Sequence, residues 1–228
     1  MLTVTDLQTG YGKKHVLHGV SFRVDEGEVV SLLGRNGMGK TTSLRTIMGL
    51  NQAWNGRIVF RGTDITRARP HTVSQLGLGY VPEGRGIFPN LTVRENLEMS
   101  KRDGRWTMDR VYDLFPRLME RSTNWGNQLS GGEQQMLAIG RALLLNPAMI
   151  MLDEVTEGLA PLVQQEIWSC LDRVRSDGIA ILLVDKNIRA LLPITQTHYI
   201  IQKGEICWSG TSAQLQENRA DLDRYITL

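Results

Sequence analysis

Apolar and polar residues alternate in two segments near the start of the chain, residues 2–5 and 20–24. This period of two predicts strands that bury one face. Turn-forming pairs at residues 11–12 (Tyr-Gly) and 26–27 (Glu-Gly) interrupt the alternation, so we expect the two strands to pair in an antiparallel sheet. Residues 57–60 predict a further strand of the same sheet.

Later in the chain the alternation gives way to short apolar runs at residues 28–33, 79–81, 149–152 and 179–184. Strands buried on both faces have this composition, which is typical of a parallel sheet covered by helices. Helical patterns separate the last two runs, which favours the same interpretation. Residues 199–207, with a Lys-Gly turn between their halves, predict a closing hairpin.

The middle of the chain, residues 86–145, has a helical pattern instead. Thr92 followed by Glu95, and Ser130 followed by Glu133, each form a capping box. In this motif the two side chains bond to each other's backbone N–H at the start of a helix. We therefore predict a helical insert between strands of one sheet.

The chain has 228 residues, enough for one large domain with a substantial core. Its content of 41% hydrophobic and 22% charged residues is typical of a globular protein. The formal net charge is +2, from 26 basic and 24 acidic side chains. The basic clusters are small, so no nucleic-acid partner is expected. Cys170 and Cys207 lie far apart and predict neither a disulfide framework nor a zinc site.

The longest apolar runs, residues 148–152 and 179–184, are far shorter than the ~20 residues of a membrane-spanning helix. The first ten residues lack the basic start and apolar run of a signal peptide. Any work at a membrane is therefore expected from the water side, through partners that span it.

A glycine-rich segment, residues 34–41, matches the phosphate-binding loop GxxxxGK[ST] between a predicted strand and a predicted helix. Glycines let backbone N–H groups converge on phosphate oxygens, and the helix directs the positive end of its dipole towards them. Lys40 is expected to bind the β- and γ-phosphates of ATP, and Thr41 to offer its hydroxyl to Mg²⁺. A glycine-rich turn with a surface lysine is the alternative. The predicted nucleotide contacts in this segment are Gly34, Arg35, Asn36, Gly37, Met38, Gly39, Lys40, Thr41 and Thr42.

Two acidic residues, Asp153 and Glu154, follow the apolar run at 149–152. Open α/β sheets bind ligands at the carboxyl ends of their strands, so both carboxylates are expected in the site. Asp153 is predicted to hold Mg²⁺, mostly through water. Glu154 is predicted to polarise the attacking water, a role worth about 10² to 10⁴ in rate.

Residues 129–134, Leu-Ser-Gly-Gly-Glu-Gln, resemble the signature sequence of the ABC ATPases. Ser130 would cap a helix whose first amides are left accessible by two glycines, which makes a second anion site. An ordinary capped helix is the alternative. The resemblance implies that Ser130, Gly131, Gly132 and Glu133 close on the γ-phosphate of ATP bound by a partner cassette. It also implies an α/β fold of the P-loop NTPase (RecA-like) class. Such a fold has a mostly parallel sheet core, an N-terminal antiparallel β subdomain and an inserted α-helical subdomain.

The resemblance covers essentially the whole chain and implies a single ABC ATPase domain over residues 1–228. It places Tyr11 under the adenine, where stacking is worth about 1–3 kcal/mol per base, and Val16 beside it. A turn tyrosine and a core valine are the alternatives. The implied parts are an antiparallel β part (1–30 and 52–62), a nucleotide-binding core (28–85 and 146–228) and a helical insert with the signature (86–145).

Residues 80–85, several positions within 88–97, and residues 157–161 resemble the branched-chain amino-acid branch of ABC importers. That branch includes urea and short-chain amide importers, which makes these the next candidate cargoes. It implies a second cassette, either a non-identical paralogue or a copy of this chain, and two transmembrane permease subunits gripped by residues 83–96. It also implies an extracytoplasmic substrate-binding protein and a peripheral location on the cytoplasmic side of the cell (inner) membrane.

Three positions depart from the general ABC pattern. Glu83 replaces a glutamine that meets Mg²⁺ and the attacking water, and its oxygen is expected to keep that role. Lys186 replaces the switch histidine at the γ-phosphate and could hold that phosphate as a charge. Val155 replaces a common proline, and we have no physical account of it. These departures leave open a regulatory cassette that hydrolyses ATP poorly and pairs with a more complete partner.

Two further classes of protein fit the sequence less well. A soluble ABC protein acting on ribosomes or DNA would carry a second cassette or a long coiled-coil insertion, together with a basic face. A chain of 228 residues has no room for either. A metabolic kinase would leave residues 129–134 unexplained, and no motif indicates its second substrate pocket.

Overall fold

The computed structural model describes residues 1–218, which form ten strands and nine α-helices. The strands are β1 (Leu2–Tyr11), β2 (Lys14–Val24), β3 (Val29–Leu33), β4 (Asn55–Phe60), β5 (Thr63–Asp64), β6 (Leu78–Val81), β7 (Met149–Asp153), β8 (Ala180–Val184), β9 (Thr197–Gln202) and β10 (Glu205–Thr211). The helices are α1 (Lys40–Ile47), α2 (Pro70–Gln75), α3 (Val93–Glu98), α4 (Met108–Leu114), α5 (Pro116–Glu120), α6 (Gly131–Leu143), α7 (Pro161–Ser176), α8 (Ile188–Leu191) and α9 (Ser212–Glu217).

The first sheet is antiparallel, with the strand order β2-β1-β4-β5, which confirms the predicted opening pair and its third strand. Both strands are longer than predicted, because β1 continues past residues 2–5 to Tyr11 and β2, predicted at residues 20–24, already begins at Lys14. At Asp6 the backbone φ is 48°, and the pairing with β2 shifts register between Val4 and Leu7. This bulge moves the buried side chains from even-numbered to odd-numbered positions, which hides the second half of the strand from a simple alternation.

The second sheet has the strand order β10-β9-β3-β8-β7-β6 and is parallel except for the β9–β10 hairpin. The predicted apolar runs are β3, β6, β7 and β8, and the predicted closing hairpin is β9–β10. Every residue of β3, β7 and β8 is buried, as expected for strands covered on both faces. The carboxyl ends of β3 and β7 lie at the same edge of the sheet, where the candidate site forms.

Alternate residues of the central strands pack into two different hydrophobic clusters. On one side, Leu32 and Met151 pack with the antiparallel sheet and α1. On the other side, Leu33 and Leu152 pack with α6 and α7. Cys170 of α7 is buried in this second cluster, which agrees with its position on the apolar face of that helix.

Helices α3 to α6 lie between β6 and β7 and form the predicted insert. Both predicted capping boxes are present, because Thr92 Oγ1 accepts from the Glu95 N–H at 3.2 Å and Ser130 Oγ accepts from the Glu133 N–H at 3.3 Å. Each glutamate carboxylate accepts in return from the N–H of its cap residue, at 2.8 Å. These reciprocal bonds satisfy amides that would otherwise lack partners at the starts of α3 and α6.

The boundaries of the three predicted parts stay predictions. Strand β5 continues the antiparallel sheet beyond residue 62, and residues 219–228 of the predicted core lie outside the described residues. No helix within residues 1–218 combines the length and the apolar character that crossing a bilayer requires.

Candidate active site

The segment between β3 and α1, residues 34–39, forms a loop whose shape requires glycine. The φ values of Gly34 and Gly39 are 148° and 112°, in the region that other residues rarely adopt. A Cβ at Gly34 would also lie 2.4 Å from the carbonyl oxygen of Ile201. Lys40 folds back over this loop, and its Nζ donates to the carbonyl oxygens of Gly34 at 2.8 Å and Arg35 at 3.2 Å.

Asp153, the last residue of β7, is fully buried and accepts hydrogen bonds from two hydroxyl groups. Thr41 donates to its Oδ1 at 3.1 Å, and Tyr80 of β6 donates to its Oδ2 at 3.2 Å. Burial raises the pKa of Asp153, because low polarity disfavours the charged form. A carboxylate beside a threonine hydroxyl is an oxygen donor set that suits Mg²⁺, so these residues fit the predicted metal.

Glu154 starts the turn after β7 with a φ of 50°, and its N–H donates to the carbonyl oxygen of Val184 at 2.7 Å. Its carboxylate lies between two ammonium groups, 3.6 Å from Lys40 Nζ and 3.3 Å from Lys186 Nζ. Burial is the main reason why the pKa of Glu154 rises to about 7, and the adjacent Glu157 carboxyl adds to the rise. A carboxyl group with this pKa is suited to accept a proton near neutral pH.

A cavity of about 290 Å³ brings the glycine-rich loop and the acidic turn together. Lys186 joins them from the segment that follows β8, and Glu83 joins them from the segment that follows β6. The structure therefore gathers most of the predicted phosphate, metal and catalytic residues around one space. The cavity is lined by Asn36, Gly37, Gly39, Lys40, Thr41, Thr42, Glu83, Glu154, Glu157 and Lys186.

Sequence reasoning misses two residues of this site. Glu157 contacts Lys186 at 2.7 Å, and the only sequence signal is an acid three residues after Glu154. Tyr80 reaches Asp153 because parallel pairing aligns β6 with β7. That register is not visible in either strand alone.

Several predicted nucleotide contacts lie outside the cavity. Arg35 is exposed, and the sulfur of Met38 accepts from the Lys203 N–H at 3.2 Å. Tyr11 ends β1 with 48% of its surface exposed. Val16 packs against the cluster beneath the antiparallel sheet, as a core valine would. A nucleotide contact by these residues stays a prediction.

The predicted signature residues lie at the start of α6 and also do not line the cavity. Ser130 is exposed, whereas Gly132 is buried and packs so closely that an added Cβ would lie 2.6 Å from Val163 Cγ1. Glu133 completes the cap and lies 3.8 Å from Arg121. The signature is therefore a capped helix start, separate from the phosphate loop of its own chain.

The segment that carries Glu83 is attached to the helical insert by arginine side chains. Arg85 Nη1 donates to Gln134 Oε1 of α6 at 2.7 Å. The guanidinium of Arg141, also on α6, lies 4.5 Å from the centre of the Phe88 ring, which is a cation–π arrangement. These contacts connect the segment that carries Glu83 with the helix that carries the signature residues.

The family model for ABC transporters matches residues 17–157, more than half of the chain. The chain belongs to the ABC transporter family. The resemblance of residues 129–134 and the predicted P-loop NTPase class are thereby confirmed, and the chain is an ATPase that energises transport.

Three relatives align with this ABC ATPase over almost their whole length. The high-affinity branched-chain amino acid transport ATP-binding protein BraG of Pseudomonas aeruginosa is 41% identical over 99% of both chains. The probable branched-chain amino acid transport ATP-binding protein LivF of Archaeoglobus fulgidus is 34% identical over 96% of this chain and 95% of its own. The lipopolysaccharide export system ATP-binding protein LptB of Haemophilus influenzae is 34% identical over 96% of this chain and 93% of its own.

Two solved structures share the fold of this ABC ATPase. A nucleotide-free ATP-binding cassette from an ABC transporter has a TM-score of 0.84, with 25% identity over 97% of this chain and 95% of that chain. A bacterial ABC transporter cassette in a dimeric structure has a TM-score of 0.82, with 25% identity over 93% of this chain and 99% of that chain. The predicted fold is therefore confirmed, and at least one cassette of similar fold forms a dimer.

Proposed function

We propose that this ABC ATPase powers the import of branched-chain amino acids. The supporting observation is the 41% identity to BraG over 99% of both chains, compared with 34% to the exporter component LptB. The resemblance of residues 80–85 and 157–161 to the branched-chain branch favours the same cargo. Urea and short-chain amides are the next candidates.

ATP is bound by residues 34–42, with Lys40 at the β- and γ-phosphates. Thr41, Asp153 and Glu83 hold Mg²⁺, whose charge offsets that of the phosphates. Support comes from the donor set around Asp153 and from the position of Glu83 in the cavity.

Glu154 is the general base for the attacking water. Its support is a pKa of about 7 and a position beside Lys40. Lys186 binds the γ-phosphate as a charge, and its support is its place among the cavity residues.

A second cassette completes each nucleotide site. The support is that residues 130–133 form a helix start outside the cavity of their own chain, so their anion site is available to another nucleotide. The second cassette is a non-identical paralogue or another copy of this chain. Tyr11 supplies the stacking surface for adenine, which its exposed ring permits.

The assembly lies on the cytoplasmic face of the cell membrane, bound to two permease subunits that receive cargo from an extracytoplasmic binding protein. Residues 83–96 form the contact with the permease. Phe88 supports this assignment, because 40% of its surface is exposed although its ring packs on Arg141.

A regulatory cassette that binds ATP but hydrolyses it poorly is the second candidate. One observation favours it: Lys186 Nζ lies 3.3 Å from the Glu154 carboxylate. The positive charge acts to lower the pKa of Glu154 and so makes it a weaker base. Turnover in membranes that contain the partner subunits separates the two functions. Loss of turnover when Glu154 is replaced by glutamine would support the ATPase, and turnover that persists in that variant, at the partner's site, would support the regulatory role.

The role of Glu154 is tested in the same membranes. Glu154→Gln should lower turnover by about 10²-fold or more. Glu166→Gln, which neutralises an acid of α7 outside the cavity, should leave turnover unchanged. Unchanged turnover in Glu154→Gln would contradict the assignment of the base.

The cargo is tested by uptake in cells that lack the chain. We expect them to lose uptake of labelled leucine, isoleucine and valine. Wild-type protein should restore uptake, and Glu154→Gln should not. Normal amino-acid uptake with loss of urea or acetamide uptake would assign the cargo to the related branch members instead.

A further inference from the structure

Glu157 has no role in the assignment above, yet it makes the closest ionic contact around the cavity. Its Oε1 lies 2.7 Å from Lys186 Nζ, while Glu154 Oε2 lies 3.3 Å from the same nitrogen. Lys186 therefore bridges two carboxylates that come from one turn of the chain.

Carboxylates outnumber ammonium groups in this part of the cavity. Oxygen atoms of Glu83, Glu154 and Glu157 lie within 4.8 Å of one another. Among the lining residues, only Lys40 and Lys186 are cationic. A γ-phosphate that enters this space adds negative charge and must compete for ammonium groups that Glu154 and Glu157 already contact.

The pair formed by Lys186 and Glu157 is suited to exchange. The side chains are 39% and 47% exposed, and ion pairs with such exposure are weak. A terminal phosphate carries more charge than a carboxylate and accepts several hydrogen bonds from one ammonium. ATP can therefore displace Glu157 from Lys186, whereas ADP brings no γ-phosphate to compete.

We propose that Glu157 is a positioning residue that holds Lys186 until the γ-phosphate of ATP takes its place. This exchange makes Glu157 a determinant of the preference for ATP over ADP. The inference rests on the proposed function, because it takes Lys186 as the ligand of the γ-phosphate.

The test measures dissociation constants for ADP and for a non-hydrolysable ATP analogue by calorimetry on the full chain. In Glu157→Gln the γ-phosphate competes with one carboxylate fewer, so the ratio of the ADP constant to the analogue constant should rise about three- to fivefold, or about 0.7–1 kcal/mol. In Lys186→Gln the ratio should fall by a similar factor. The ADP constant should change less than about twofold in both variants, because ADP does not reach this pair.

The double variant Glu157→Gln/Lys186→Gln separates the pairing from a general effect of charge. If Glu157 acts through Lys186, the double variant should have the ratio of Lys186→Gln alone. An equal rise from Glu157→Gln in both backgrounds would overturn the proposal. Glu166→Gln removes the same charge outside the cavity and should leave the ratio unchanged, and a similar rise in that variant would also overturn the proposal.

Two further outcomes distinguish this inference from the proposed function. If the wild type binds both nucleotides and Glu157→Gln has the same ratio, the positioning role is wrong and the proposed function stands. If the wild type binds neither nucleotide, the proposed function is wrong and the positioning role falls with it. A parallel loss of ADP and analogue binding in Glu157→Gln would show a structural role and contradict the exchange.

Discussion

Replacing Asn96 by alanine tests what holds the segment that carries Glu83. Asn96 lies in α3 and is fully buried. Its amide makes four hydrogen bonds to the backbone of the preceding loop: it accepts from the Phe88 N–H at 2.9 Å and donates to the carbonyl oxygens of Phe88 at 2.9 Å, Leu91 at 3.1 Å and Thr92 at 3.0 Å. One side chain thus adds to the backbone bonds of this loop and is the acceptor for the Phe88 N–H.

The expected loss of stability follows from those contacts. A net hydrogen bond contributes about 0.5–1.5 kcal/mol, and a buried polar group left without a partner costs about 1–3 kcal/mol. Asn96→Ala leaves the Phe88 N–H without its partner and removes three further bonds to carbonyl oxygens that each keep a backbone donor, so the free energy of unfolding should fall by about 3 kcal/mol. For a chain of 228 residues, each 1 kcal/mol lowers Tm by about 2–4 °C, so Tm should fall by about 6–12 °C.

Thermal and guanidinium unfolding measure these two quantities, and hydrogen exchange at the Phe88 amide locates the change. Asn90→Ala, which removes an exposed amide from the same loop, is the matched control and should stay within about 0.5 kcal/mol of the wild type. Equal Tm values for the two variants, or unchanged exchange at Phe88, would refute the conclusion that Asn96 holds the loop.

Two further predictions concern buried polar groups. Tyr80→Phe removes one of the two hydroxyl donors to Asp153 and should lower the free energy of unfolding by about 1.5–3 kcal/mol in denaturant melts. Tyr112→Phe, at a half-buried tyrosine outside the site, should have little effect, and equal losses would contradict the role of the Asp153 contact. His198 lies between two serine hydroxyls at 2.6 and 2.8 Å, and burial lowers its pKa from 6.5 to about 4. The imidazole binds a proton below about pH 6.5 in the unfolded chain, but only below about pH 4 in the folded chain. The contribution of His198 to the free energy of unfolding should therefore be constant above about pH 6.5. It should fall by up to about 3 kcal/mol as the pH is lowered from about 6.5 to about 4. His198→Gln should remove that part of the pH dependence, and a curve parallel to that of the wild type would show that another group causes it.

Structural elements that are determined by interactions between residues close together in the sequence could be predicted. The capping boxes at Thr92 and Ser130 and the apolar runs of the central strands are of this kind, since no distant contact is needed to recognise them. Strand β1 was predicted only in part, because the bulge at Asp6 reverses its buried face. A positive φ at a residue other than glycine leaves little trace in the pattern of residue types.

The candidate site shows the same division. The phosphate loop and the acidic pair were predicted because each is a contiguous motif. The contact of Lys186 with Glu157 joins positions 29 residues apart, and that of Tyr80 with Asp153 joins positions 73 residues apart. Both contacts depend on the parallel order β6-β7-β8, which neither motif contains. Lys186 was predicted as a phosphate ligand from the family resemblance, but its carboxylate partner was not.

The apolar side chains on both faces of β7 leave its alignment with β6 and β8 weakly determined by hydrophobic burial alone. A slip of one residue would exchange the sets that face the two clusters while keeping most of the apolar surface covered. The same slip would take the Asp153 carboxylate away from Thr41 and Tyr80 and leave a buried charge without hydrogen-bond donors. This costs far more free energy than the exchange of apolar contacts. A cassette that had lost its ATPase activity would therefore still need this aspartate to keep its central strand in register.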